Sequence, residues 1–171
     1  AYLTIEFHQV GNFEPHVYKT ENFGKSWKKI TEGISGGNLS YTRCIKEDPV
    51  RKGLLYLGTE NKLYVSFNDG GNWQELMSNL PHTPMYWIEI QEHFNDLVVG
   101  TYGRGIWILD DISPLQELNE EITKKDVLIG RGVIKKKRGG PVDSPKKKKN
   151  CFSWIFFYCL RSTRGYNASC K

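Results

Sequence analysis

Cysteine, methionine and long apolar runs are scarce in this chain of 171 residues. Only Cys44 lies in the first 123 residues, and the three later cysteines lack CxxC spacing and nearby histidines, so we expect no metal site. The longest apolar run, residues 152–160, is about half as long as a membrane-spanning helix must be. Neither a phosphate-binding loop nor a dinucleotide-binding fingerprint is present, and we expect no cofactor.

The start of the chain carries no targeting signal. It begins at Ala1, within a stretch typical of a strand, without an initiator methionine, a charged leader or an apolar signal-peptide core. We therefore expect that the sequence lacks its natural start, which leaves the cellular compartment open.

Charge divides the chain into two unlike parts near residue 123. Residues 1–123 hold 10 Lys and Arg against 17 Asp and Glu, whereas residues 124–171 hold 14 against two. Because the first part is acidic, we expect no nucleic-acid binding by residues 1–122. For residues 123–171 three interpretations stay open: a disordered basic tail, a gene-model artefact, or a tether to a membrane surface or nucleic acid.

An eight-residue pattern occurs twice, 46 residues apart, as TENFGKSW and SFNDGGNW. A second self-match pairs residues 55–69 with residues 97–111, at an offset of 42. One unit therefore repeats every 42 to 46 residues, and parts of three copies are present. The positions that the first pattern shares are Thr20, Asn22, Gly24, Ser26 and Trp27 in one copy and Ser66, Asn68, Gly70, Asn72 and Trp73 in the other.

The repeated unit consists of short strands rich in β-branched and aromatic residues and separated by Gly-, Asn- and Asp-containing turns. No helical spacing of apolar residues occurs before residue 112, and a short helix is expected from Ser113, a cap before Pro114. Four strands per unit of this length are typical of a β-propeller blade. We predict an all-β fold, a partial β-propeller of about two and a half four-stranded blades over residues 1–122. The predicted strands are residues 16–20, 41–47, 54–59, 62–67, 73–76, 85–91, 96–101 and 105–110.

The repeated pattern falls between the third and fourth strands of its unit, where it must turn the chain tightly. Asn22 and Asn68 are expected to bond their own backbone two residues on, and to tolerate left-handed backbone. The glycines supply positive φ. Trp27 and Trp73 are expected to bury their rings under the turns, so the pattern is interpreted as structural rather than catalytic.

These residues resemble the Asp-box, or BNR repeat, written S/T-x-D/N-x-G-x-S/T-W. The second copy departs mildly, with Asn72 in place of Ser or Thr, and the third unit has no box. Over residues 1–122 the chain is similar to the C-terminal blades of large sortilin-like or glycosyl-hydrolase-like repeat proteins. That resemblance implies an exported protein, periplasmic or extracellular. Because two and a half blades cannot close a ring, we expect a fragment.

By resemblance to the sialidases, the ligand face is the end of the blades opposite the boxes. Arg104 is the favoured candidate, because Gly103 and Gly105 leave its guanidinium uncrowded for a carboxylate; a solvated turn is the alternative. Tyr86 and Trp87 are expected to point to opposite sides of a strand, with core packing favoured over sugar stacking. The candidate contacts are Tyr41, Arg43, Glu60, Lys62, His82, Tyr86, Tyr102 and Arg104.

The sequence offers no complete catalytic set. Asp110 and Asp111 are neighbours on a strand and point to opposite faces, so they cannot both act on one sugar. Glu60 is the one acid considered on the ligand face. We therefore predict a non-catalytic binding or scaffold segment of a larger sortilin-like protein, taking a peptide, protein or glycan. The alternative is a sialidase- or xyloglucanase-like glycoside hydrolase whose catalytic acids lie in missing blades, and an assembly factor that binds a protein is a third class.

Overall fold

The computed structural model describes residues 1–118, together with the backbone of three strands beyond them. Two short helices occur in the described part, the 3-10 helix His8–Val10 and α1 at Ser113–Glu117. The strands are β1 Tyr2–Thr4, β2 Val17–Lys19, β3 Lys28–Lys29, β4 Thr42–Glu47, β5 Leu55–Thr59, β6 Leu63–Ser66, β7 Gln74–Glu75, β8 Met85–Gln91, β9 Asp96–Thr101, β10 Ile106–Leu109, β11 Val127–Gly130, β12 Val133–Lys136 and β13 Trp154–Phe157.

The strands form antiparallel sheets in which neighbours along the chain are mostly neighbours in space. The first sheet has the order β1-β2-β3, the second β4-β5-β6-β7, and the third β8-β9-β10 with β13 beside β10; β11 and β12 pair with each other. All eight predicted strands are present, and the all-β prediction is confirmed. Within the described residues no sheet closes on itself.

The second sheet is the middle layer of a stack of three. Side chains alternate along β5, so Leu55 and Leu57 join a cluster with Val17 of the first sheet. Tyr56, between them, joins the larger cluster with Leu97 of the third sheet. Every residue of β5 and β6 is consequently buried.

The two copies of the repeated pattern fold into turns with the same hydrogen bonds. We call residues 20–27 the first box turn and residues 66–73 the second box turn. The hydroxyl of Thr20 accepts from Gly24 N at 2.9 Å, and that of Ser66 accepts from Gly70 N at 3.0 Å. The Asn22 side chain accepts from Ser26 N at 2.9 Å, as the Asn68 side chain does from residue 72 at 2.8 Å.

Two details of the box-turn prediction were wrong. Each Asn carboxamide accepts a backbone N–H four residues on, not two, because the turn curls the chain back over the side chain. The left-handed residues are Phe23 and Asp69, with the predicted glycines after them at φ 84° and 81°.

The burial prediction was confirmed for one tryptophan and wrong for the other. Trp73 is 2% exposed, whereas Trp27 is 44% exposed. The difference comes from a neighbouring layer, since Ile30, just after β3 of the first sheet, covers Trp73, and no described residue takes the equivalent place over Trp27.

The predicted helix is present as α1, although Ser113 is its first residue rather than its cap. Asp111 holds this end, because its carboxylate accepts from Ser113 N at 3.1 Å and from the Ser113 hydroxyl at 2.5 Å. Apart from the three strands, the interpretations of residues 123–171 fall outside the described residues.

Candidate functional site: the Arg43 cluster

Two β-bulges at equivalent positions aim two side chains at one end of the stack. The β4–β5 register shifts between Thr42 and Cys44, and the β8–β9 register shifts between Met85 and Trp87. The residue left unpaired is Arg43 in one sheet and Tyr86 in the other. A bulge bends its strand and redirects the extra side chain, so both leave the ordinary alternation.

Arg43 joins the first and second sheets through two carboxylates. Its Nε donates to Glu60 Oε2 at 2.8 Å, and its Nη1 donates to Glu6 Oε2 at 2.6 Å. The side chain is 12% exposed. Burial lowers the pKa of Arg43, but the hydrogen bond and charge of Glu60, with the charge of Glu6, outweigh that effect and raise it above its ordinary value.

Tyrosine rings enclose the guanidinium. Arg43 Cζ lies 4.9 Å from the ring centre of Tyr41 and 4.5 Å from that of Tyr86, within the range of cation–π attraction. The ring of Tyr102 lies 5.6 Å from Tyr86, centre to centre. The Arg43 cluster therefore comprises Glu6, Tyr41, Arg43, Glu60, Tyr86 and Tyr102.

The phenol of Tyr41 remains protonated around neutral pH. Burial raises the pKa of this group above its ordinary value of 10.0, and the nearby Glu60 carboxylate raises it further. Tyr41 therefore serves as a neutral wall of the cluster and not as a base.

The outer rim of the cluster is aromatic and open. Tyr86 is 47% exposed and Tyr102 71%, and Trp87, which follows Tyr86 on β8 and lies outside the cluster, is 67% exposed. The expected core packing of Tyr86 and Trp87 was wrong, because both side chains are exposed at the end of β8. Exposed rings on a rigid sheet end are suited to stacking on a flat or apolar ligand.

Arg104 does not join the cluster. It lies exposed in the β9–β10 turn, where its carbonyl accepts from the Trp107 indole at 3.1 Å. The prediction that Arg104 binds a ligand carboxylate stays a prediction, whereas Arg43 is held by two glutamates of the protein itself. His82 is exposed, with Nδ1 3.3 Å from the Asn61 carbonyl, and Lys62 forms an ion pair with Glu75.

Glu6 is the cluster residue that sequence reasoning missed. The register explains its place, because Thr4 and Gly58 lie at matching positions of β1 and β5, each two residues before its glutamate. The first sheet has a long β1–β2 connection that obscures this match in the sequence.

Asp110 and Asp111, the acidic pair noted in the sequence, lie at the end of β10 away from the cluster. Burial and the nearby Asp96 carboxylate raise the pKa of Asp110 above its ordinary value. Asp96 itself accepts from Asp111 N at 2.9 Å. Together with the contacts of Asp111 to Ser113, this arrangement ties the end of β10 to β9 and α1.

Comparison with known protein families, with curated proteins and with solved structures gave no match. Within the described part of the chain, no three or more His, Cys, Asp and Glu residues are grouped so as to hold a metal ion. The described helices include none long and apolar enough to span a membrane.

Proposed function

We propose that residues 1–122 are a binding segment of a larger β-propeller protein of the sortilin-like Asp-box type. The ligand, a peptide, protein or glycan, docks on the rim of the Arg43 cluster. One observation carries this proposal: equivalent bulges in two sheets gather an arginine and exposed aromatic rings at the sheet end away from the box turns.

The propeller arrangement is supported by the internal repetition of the fold. Two sheets carry box turns with the same hydrogen bonds, and the second and third share the same bulge. The three sheets also stack face to face around a buried middle layer. Repeated sheets stacked in this way are the building plan of propellers.

The binding role is favoured over hydrolysis by how the acids are used. Both carboxylates of the Arg43 cluster are engaged by one guanidinium, which leaves neither as a free proton donor toward a sugar. The acids near α1 tie the backbone. A glycoside hydrolase would therefore need a catalytic pair other than these acids.

Two probes test the binding proposal: cellohexaose for a glycan and a proline-rich decapeptide for a peptide, each titrated into the full chain and followed by tryptophan indole NMR. We expect saturable shifts of the Trp87 indole with one probe, lost in Tyr102→Ala. Phe94→Ala is the matched control, since Phe94 is 67% exposed, close to the 71% of Tyr102, but lies in the β8–β9 turn at the other end. Loss of binding in both variants, or no saturable shift with either probe, would contradict the proposal.

A further inference from the structure

The first box turn exposes two large aromatic side chains, whereas the second box turn exposes none at the matching positions. Phe23 is fully exposed and Trp27 is 44% exposed. At the matching positions of the second box turn stand Asp69, which is hydrogen-bonded, and Trp73, which is 2% exposed. The two turns share their internal hydrogen bonds, so the difference lies in what covers them.

The second box turn is covered by the chain segment that leaves the first sheet after β3. We call this segment, residues 30–33, the exit segment of the sheet. The Trp73 indole donates to the Ile30 carbonyl at 2.9 Å, and Trp73 N donates to the Glu32 carbonyl at 2.8 Å. The side chain of Ile30 occupies the space that a Cβ on Gly70 would need. Further along the segment, Gly33 also lies against the second box turn, because a Cβ on Gly33 would overlap the Trp73 carbonyl.

A polar contact completes this junction between sheets. Asp69 forms an ion pair with Lys19 of β2 and accepts a hydrogen bond from Tyr2 of β1. Both partners belong to the sheet that also supplies Ile30. The second box turn thus receives one strand-exit segment and two side chains from a neighbouring sheet.

The equivalent positions of the first box turn are not covered by any described residue. A Cβ on Gly24 would meet only the ring of Trp27 among the described residues within 4 Å. No described residue is placed to accept from the Trp27 indole as Ile30 does from Trp73.

We propose that the first box turn is a docking surface for the exit segment of a further antiparallel sheet. The segment places a β-branched aliphatic side chain over Gly24 and its carbonyl toward the Trp27 indole, repeating the contacts of Ile30 at the second box turn. Phe23 specifies the partner further, because it requires an apolar group where Asp69 takes a lysine and a tyrosine.

A second copy of this chain does not fit this role. Its first exit segment, residues 30–33, already covers its own second box turn. Its second exit segment, at Leu76 and Met77, packs against the core cluster shared with the third sheet. Ile112, which follows β10 of the third sheet, is buried in the same cluster, so we infer an occupant of the same kind from outside the described residues.

The test uses the nonapeptide KKITEGISG, residues 28–36, as the probe and the full chain as the receptor. The Trp27 indole N–H, assigned with a Trp27→Phe variant, is followed by NMR during titration. We expect a saturable shift of this signal with little change at Trp73. The matched control peptide carries Ile30→Asp. Its affinity should be lower by at least about tenfold, since it places a carboxylate over Gly24.

A tethered version removes the dependence on weak affinity. The Ala1 ammonium donates to the Thr20 carbonyl at 2.9 Å, so the N-terminus lies beside the first box turn. The same nonapeptide joined to Ala1 through about ten Gly and Ser residues, which reach roughly 17 Å, should protect Trp27 from acrylamide quenching. The Ile30→Asp version should leave Trp27 as quenchable as in the unmodified chain.

Two results would overturn the proposal. One is equal quenching of Trp27 in both tethered forms, which would mean that the turn does not recognise the exit segment. The other is concentration-dependent protection of Trp27 in the unmodified chain, abolished by Phe23→Asp, which would identify a second copy as the occupant.

Discussion

Trp27 and Trp73 occupy the same position in turns with the same hydrogen bonds, so they form a matched pair for mutation. Trp73→Ala should cost roughly 3–5 kcal/mol of unfolding free energy, because it empties a site between two sheets. Trp27→Ala should cost less than about 1 kcal/mol, since its ring is 44% exposed. Urea unfolding of the full chain measures both, and equal costs would mean that the environment of Trp27 resembles that of Trp73.

Arg43 supplies the charged contact between the first and second sheets at the cluster end. Arg43→Met should destabilise the chain by about 2 kcal/mol or more, because it leaves Glu6 and Glu60 without their charged donor. Adding Glu60→Gln should recover part of that loss by removing one unpaired charge. A double mutant whose cost equals the sum of the two single costs would show that the pair is not coupled.

At the scale of single elements, Gly58 of β5 marks how closely the second and third sheets approach. A Cβ at this position would lie 2.8 Å from Cys44 Sγ and 2.8 Å from the Met85 carbonyl oxygen. Gly58→Ala should therefore cost about 1–3 kcal/mol through overpacking. Gly36→Ala is the control, because its added methyl meets no atom within 4 Å. Thermal unfolding of both variants checks this, and similar melting temperatures would contradict the close approach.

The second box turn is tied to the first sheet by a titratable contact. Burial alone would raise the pKa of Asp69, but hydrogen bonds from Lys19 and Tyr2 outweigh it and hold the pKa below its ordinary 3.8. The stabilisation is present above the unfolded-state pKa of about 3.9 and is lost as pH falls through the folded-state value. Asp69→Asn should flatten the decline in stability below about pH 4.

Asp110→Asn is the control for this titration, because the pKa of Asp110 is shifted in the opposite direction from that of Asp69. The pKa of Asp110 is raised by burial and by Asp96, so its ionised form is disfavoured in the folded state. Removing that charge should leave the acid decline at least as steep as in the unmodified chain. Denaturant unfolding at a series of pH values measures both variants, and parallel curves for Asp69→Asn and the unmodified chain would contradict the assigned contact.

Across the whole molecule, sequence reasoning succeeded for local features and failed where neighbouring layers decide. The eight strands and the positive φ of Gly24 and Gly70 follow from local residue preferences. The exposure of Trp27 does not, because burial depends on which sheet lies beside the turn. The surroundings of Arg43 were equally hidden, since a bulge in β4 redirects its side chain and Glu6 follows a strand of another sheet.

The stacking order predicts how stability is distributed along the chain. The middle sheet is buried on both faces, whereas the first sheet contacts one described layer and leaves Phe23 and Trp27 in solvent. In stacked repeats each unit gains stability from its neighbours, so a unit with one neighbour opens at a lower free energy. Amide hydrogen exchange of the full chain should therefore protect β5 and β6 longest and release β2 and β3 earlier. Exchange of both sheets at one common rate would contradict this prediction. It would mean that the stack opens as a single cooperative unit, and that the uncovered first box turn does not lower the opening free energy of the first sheet.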